Sequence, residues 1–208
     1  MGGQILYKSL VNKLKNNYTI IIYKISSRLL NENIDATTNH FNIIKKDIIS
    51  TANYLESKMY KEFSILGNSL LCCSALMVAN SDARFKKVIL NLVGSDIAEC
   101  LWYTSSSVAR HIKNKILKDG IKLYELKKYW KNISPINNIN NFKNRKLLVL
   151  LSKNDKIIKY KYGLRFLKGL KKENINYELE IDNIFGHYLS GLKQLQFSNK
   201  IIDFINLN

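Results

Sequence analysis

One stretch constrains this chain more than any other: Phe63-Ser64-Ile65-Leu66-Gly67-Asn68-Ser69-Leu70-Leu71, running on into Cys72-Cys73-Ser74-Ala75-Leu76-Met77-Val78-Ala79. A short apolar run stops at Gly67, Ser69 follows two residues later, and an apolar segment free of Gly and Pro continues through Asn80. That order reads as a buried strand, a sharp turn and a helix. Gly67 tolerates the close backbone approach that a sharp turn requires. Ser69 then sits at the top of the turn with its hydroxyl clear of both elements. The amide of Leu70, at the start of the helix, points toward any anion formed beside Ser69. On its own, a Gly-x-Ser after a strand is also a common turn with a helix-capping serine, so the rest of the chain has to decide.

Ile5, Leu6, Leu10, Val11 and Leu14 fall at helical spacing, and Asn16-Asn17 ends that pattern. Tyr18–Tyr23 reads as a strand, Lys24–Asn39 as a polar loop, and about Phe41–Met59 as a second helix. After the stretch around Ser69, Lys87–Val93 is the next strand, stopped by Gly94. Between 95 and 144 the pattern is helical, with segments at Asp96–Tyr103, Ser105–Lys118 and Leu123–Lys131. Lys146–Leu151 is a strand, about Ile158–Lys172 a helix, Asn176–Ile181 a strand, and His187 to about Ile205 a final helix. Strands alternating with helices predict an α/β fold: a mostly parallel sheet of about five strands flanked by helices. Residues 1–208 read as one domain, with 95–144 as a small helical cap inserted between two strands.

Two further loops carry chemistry. Leu148-Val149-Leu150-Leu151-Ser152-Lys153-Asn154-Asp155 places an acid just past the end of a buried strand, where ligands collect in open parallel sheets. Asn183-Ile184-Phe185-Gly186-His187-Tyr188 follows the next strand. A turn or helix-cap Asp and a structural Gly-His are the ordinary readings of each loop alone. Together, Ser69, Asp155 and His187 each follow a strand, in the chain order Ser, acid, His. This resembles the α/β-hydrolase family, whose nucleophile elbow is Gly-x-Ser-x-Gly and whose triad has that order. Gly67, Asn68 and Ser69 match the elbow, and Leu71 stands where the second Gly belongs. The resemblance implies a serine hydrolase acting on an ester, thioester or related acyl substrate without metal or cofactor. In it Ser69 is the nucleophile, His187 the general base and acid, and Asp155 the residue that orients His187. It also implies an oxyanion hole from the Leu70 amide and a second amide, for which Gly3 in the Gly2-Gly3 pair is the candidate. Asp96, which follows a strand, is an alternative acid. His40 and His111 read as surface residues.

The resemblance is kept only in part. Leu71 and Cys72 replace small residues of the elbow helix, and Leu71 is expected to twist the elbow. The family has three strands before its first helix, whereas here a helix opens almost at Met1. Tyr18–Tyr23 is therefore expected either to pair directly with Phe63–Leu66 or to leave a gap in the sheet. A shortened, catalytically inactive form or a binding module on the same fold is the alternative function.

The formal net charge is +17, a balance that suggests nucleic acid or an anionic membrane surface. Of the 33 basic residues, however, only five are Arg (28, 84, 110, 145 and 165), and Lys is scattered along the whole chain among many Asn and Ile. Codon bias toward AT-rich triplets accounts for that composition, and Arg, the residue suited to phosphate and base recognition, is scarce. Specific nucleic-acid binding is not expected; peripheral membrane contact stays open. No apolar run is long enough to span a bilayer. With no signal-peptide pattern and with Cys72, Cys73 and Cys100 fitting neither zinc nor disulfide spacing, a cytoplasmic protein with reduced cysteines is expected.

Overall fold

A computed structural model describes residues 2–23, 25, 29–197 and 199–207. Four strands form a fully parallel sheet in the order β1-β2-β3-β4: β1 Phe63–Asn68, β2 Phe85–Asn91, β3 Lys146–Ser152 and β4 Glu178–Asp182. The helices are α1 Gly2–Leu14, α2 Ile34–Ser57, α3 Cys72–Ser81, α4 Ile97–Trp102, α5 Ser107–Lys118, α6 Leu123–Tyr129, α7 Tyr160–Lys172, α8 His187–Gln196 and α9 Lys200–Asn206.

Strand periodicity sorts the core into two layers. Val88, Leu90, Leu147, Val149 and Leu151 face α3, α7 and part of α2, where Ala75, Leu76, Val78, Phe166 and Leu170 meet them. Their neighbours Ile89, Leu148 and Leu150 face the other way, onto Leu10 and Leu14 of α1, Leu195 of α8 and Ile201 and Phe204 of α9. Leu147 through Ser152 of β3 are buried without a break, as a central parallel strand covered on both faces should be. A third cluster joins α4, α5 and α6 to α2 and α3 around Trp130, whose indole N–H donates to the Ile34 carbonyl at 3.1 Å.

The sheet differs from expectation at one edge. Tyr18–Tyr23 is not a strand, and among the described residues β1 pairs only with β2. β-Branched composition made the segment look like a strand, but strand formation needs a partner and a half-buried surface. Tyr18, Ile21, Ile22 and Tyr23 are exposed, while Ile20 packs near Leu66. The polar loop is also shorter than 24–39. Lys24 and residues 26–28 lie outside the described residues, and α2 begins at Ile34, because Asn33 caps it by accepting from the Asp35 and Ala36 amides. The single final helix is two, broken between Gln196 and Lys200.

Candidate active site

Ser69 has φ +54°, a left-handed conformation that residues with a Cβ seldom adopt and that concentrates at functional turns. Close packing builds this turn. A Cβ on Gly67 would stand 2.7 Å from both the Cys72 Cα and the Leu71 carbonyl oxygen, and 2.9 Å from the Ala75 Cβ. Only glycine lets α3 return so near its strand. One turn of 3-10 helix, Ser69–Leu71, joins the strand to α3. Leu71 has ordinary right-handed backbone, φ −71° and ψ −8°, so this turn makes no use of a second glycine there. Beneath it the Cys72 thiol donates to the Gly67 and Asn91 carbonyls, both at 3.3 Å. Burial raises that thiol far above its usual range.

Asn68, not Ser69, occupies the capping position of the turn. The Ser69 hydroxyl instead lies 2.9 Å from His187 Nε2. On the other side of the ring, His187 Nδ1 is 2.7 Å from Asp155 Oδ2. A carboxylate can only accept, so Nδ1 carries the proton and Nε2 is left to accept from the serine hydroxyl. Asp155 and His187 are both more than nine-tenths buried. The other Asp155 oxygen, Oδ1, accepts the Ile157 and Ile158 amides, each at 2.8 Å. Asp155 is thus both the turn-forming acid of its own loop and the partner of the histidine. The structure brings Ser69, Asp155 and His187 into one hydrogen-bonded chain at the carboxyl ends of β1, β3 and β4.

Asp96, His40 and His111 lie elsewhere or are engaged otherwise. Asp96 caps α4 by accepting the Glu99 amide at 2.9 Å, and the imidazole faces Asp155 instead. His111 is exposed; His40 is half-buried near the Leu29 carbonyl. The Leu70 amide lies in the turn that opens the α3 unit, where first-turn amides have no intrahelical acceptor. Gly3 lies within the first turn of α1, not in a loop before it. Among the described residues no three His, Cys, Asp or Glu side chains gather as metal ligands would.

Sequence reasoning did not single out the groups that hold the histidine loop. Asp182 at the end of β4 accepts the Ile184 amide at 2.9 Å and the Phe185 amide at 3.4 Å. Ser152 donates to the Phe185 carbonyl at 2.6 Å, and the Asn154 amide group donates to the Asn183 and Ile184 carbonyls at 3.0 Å each. Their signal was available: polar residues directly after two buried strands, where turn chemistry is required. Asn91 at the end of β2 ties Asn68 to the Gly191 carbonyl of α8, and so links the residue before the serine to the helix that begins with the histidine. Beside His187 an open cleft is lined by Asn154, Lys156, Ile157, Ile184, Gly186 and Tyr188.

A parallel sheet with helices on both faces, a strained serine between strand and helix, and an acid and a histidine on the two following strand ends define the α/β-hydrolase fold. The chain belongs to the prolyl oligopeptidase family, a family of serine hydrolases whose model matches residues 42–207. Over 164 residues it is 26% identical to a rat protein named inactive dipeptidyl peptidase 10, covering 77% of this chain and 19% of that protein. It therefore spans about a fifth of the length of that curated relative. Among solved structures it resembles an acylaminoacyl peptidase from Pyrococcus horikoshii (TM-score 0.63, 16% identity, 77% of this chain and 27% of the other). A serine hydrolase from the bacterium Cycloclasticus zankles is similar over the whole chain (TM-score 0.60, 16% identity, 100% of this chain and 87% of the other). At such identities the structural likeness speaks to fold. Among the described residues no helix is long and apolar enough to cross a membrane.

Proposed function

We propose that this chain is a serine hydrolase that cleaves acyl substrates, an ester, thioester or related acyl bond, through Ser69, His187 and Asp155. The observation that carries this reading is the serine in left-handed backbone with its hydroxyl on an imidazole whose far nitrogen is on a buried carboxylate. In the first step Ser69 Oγ bonds to the acyl carbon while its proton passes to His187 Nε2. The bond from that carbon to the leaving group then breaks, and the leaving group takes the proton from Nε2. Water attacks the acyl-serine, gives a proton to the same nitrogen, and the acid departs as the Ser69 hydroxyl is restored. Asp155 keeps the imidazole in the required tautomer and stabilises the imidazolium in each half. The Leu70 amide, with Gly3 as the second donor, takes the charge on the acyl oxygen.

A fluorophosphonate probe should label Ser69, and Ser69→Ala should abolish the labelling. Labelling that survives the substitution would remove Ser69 from the site. A second reading, an inactive member of the family, is favoured by the inactive dipeptidyl peptidase 10 relative; a chain that neither takes the probe nor hydrolyses p-nitrophenyl esters would decide for it.

A further inference from the structure

The bonds that aim His187 come from one half of the sheet. Ser152 ends β3, Asn154 and Asp155 follow it, and Asp182 ends β4. Ser69 stands beyond β1, two places from β3 in the strand order, with β2 between them. The contact between Ser69 and His187 therefore depends on how the two halves are fixed against each other. Asn91 ends β2 and is fully buried. The parallel register sets it beside Asn68. Both continue the face of Ile89 and Leu66, which α1, α8 and α9 cover. Asn91 Nδ2 donates to Asn68 Oδ1 at 3.0 Å and to the Gly191 carbonyl at 3.3 Å. Asn68 precedes Ser69, and Gly191 lies one helical turn after His187 on the same face of α8. Two adjacent residues of the serine turn thus meet two successive turns of one helix: Ser69 meets His187 directly, and Asn68 meets Gly191 through Asn91.

As a mere filler of this place Asn91 is unfavourable. Its own carbonyl oxygen, Oδ1, is buried and finds no hydrogen-bond partner among the described residues. An apolar side chain of the same shape would avoid that loss. The Gly191 carbonyl does not require the bond either, since it lies inside α8, whose own ladder supplies a donor. The backbone beside Asn91 is strained as well. Leu92 has φ +60°, a left-handed conformation rare for a buried leucine and typical of places where a fixed geometry is held by its surroundings. Its side chain packs where α8 comes closest: a Cβ on Gly191 would stand 3.1 Å from Leu92 Cδ1 and 3.7 Å from Asn68 Oδ1.

We infer that Asn91 is a positioning residue: by tying Asn68 to Gly191 it holds the serine turn against α8 and so sets the contact between Ser69 Oγ and His187 Nε2. It touches neither the reacting atoms nor the substrate. The inference rests on the hydrolase reading for its effect on turnover, and a second readout is independent of turnover. Asn91→Leu keeps the shape and removes both donors; Asn91→Ala removes them without adding bulk. In both variants kcat for p-nitrophenyl acetate should fall about tenfold or more with KM unchanged, as misplacement of reacting groups does. The thermal melt of Asn91→Leu should stay at or above that of wild type, because the buried unpaired oxygen is gone. A merely structural role gives the reverse, a lowered melt with wild-type kcat per folded molecule, and that result overturns the inference. The second readout is the nitrogen NMR resonance of His187 Nε2, which reports the hydrogen bond that this atom accepts. Measured at one alkaline pH, it should move in each Asn91 variant toward its position in Ser69→Ala protein. A resonance left at the wild-type position in whichever variant folds overturns the inference. In a chain that hydrolyses no ester and takes no fluorophosphonate the hydrolase reading falls, and the same resonance still decides whether Asn91 positions the pair.

Discussion

The two turns that meet at the site are held by different forces. The serine turn is made by exclusion: Gly67 has no room for a methyl, α3 presses against β1, and the groups beneath are Cys72 and Ala75. The histidine loop is made by attraction: Asp182, Ser152 and Asn154 hold its backbone through five hydrogen bonds from side chains. There a Cβ on Gly186 would meet nothing nearer than the Asn154 carbonyl oxygen at 3.5 Å. The difference follows from what each turn must do. The serine has to be held in left-handed backbone, which rigid packing enforces. The imidazole has to be aimed between two partners, and directional bonds fix orientation better than packing does.

Breaking the packed turn should have the largest effect. Gly67→Ala forces a methyl against backbone atoms at 2.7 Å, and overpacking of this kind costs about 1–3 kcal/mol. Chemical denaturation should show that loss, and fluorophosphonate labelling of Ser69 should slow in the fraction that stays folded. Wild-type stability and labelling would mean that packing does not hold the turn. Breaking the bonded loop comes next. Asp182→Ala removes the acceptor of two half-exposed or exposed amides, comparable to losing a helix cap at roughly 0.5–2 kcal/mol. Its mark should be esterase activity falling further than stability, because the loop carries His187; equal falls would count against the positioning role.

Acid sharpens the same contrast with a smaller effect. Burial pushes the Asp182 carboxyl up, but the Ile184 and Phe185 amides and the Lys193 ammonium outweigh it and hold the group below its usual range. The folded chain then binds that proton less readily than the unfolded chain. Its contribution is complete above the ordinary carboxylate range and is lost as pH falls through the folded value. Urea midpoints should therefore decline toward acid pH less steeply in Asp182→Asn than in wild type, and parallel declines would contradict this sign. Smallest of all, Gly186→Ala should change stability by no more than about 0.5 kcal/mol, as substitutions away from tight contacts do; a thermal melt shifted as far as that of Gly67→Ala would erase the distinction between the two turns.

Much of this was legible in the chain because buried parallel strands announce themselves. Lys146–Leu151 is apolar throughout, and the residues just past such strands, Ser69, Asp155 and His187, were the ones to watch. What could not be read was anything decided by a distant partner. Tyr18–Tyr23 has strand composition but pairs with no strand among the described residues. The helical spacing of α2 suggested a start near Phe41, whereas the cap at Asn33 starts it earlier. Asn154 could be read only as a turn residue, because the Asn183 and Ile184 carbonyls it donates to lie on a neighbouring loop brought close only by the sheet register. The positive φ of Ser69 had its cause in Gly67 and Ala75, but nothing local to the serine spells it out.

The thiols beneath the serine turn give the molecule an internal clock. Cys72 and Cys73 are shielded from solvent, and burial keeps all three cysteines as unreactive thiols. An alkylating reagent can reach Cys72 only when β1 and α3 part. The rate at which native protein is modified there counts how often the strand, turn and helix come open together, and it does so whether or not the serine above has any substrate to cleave.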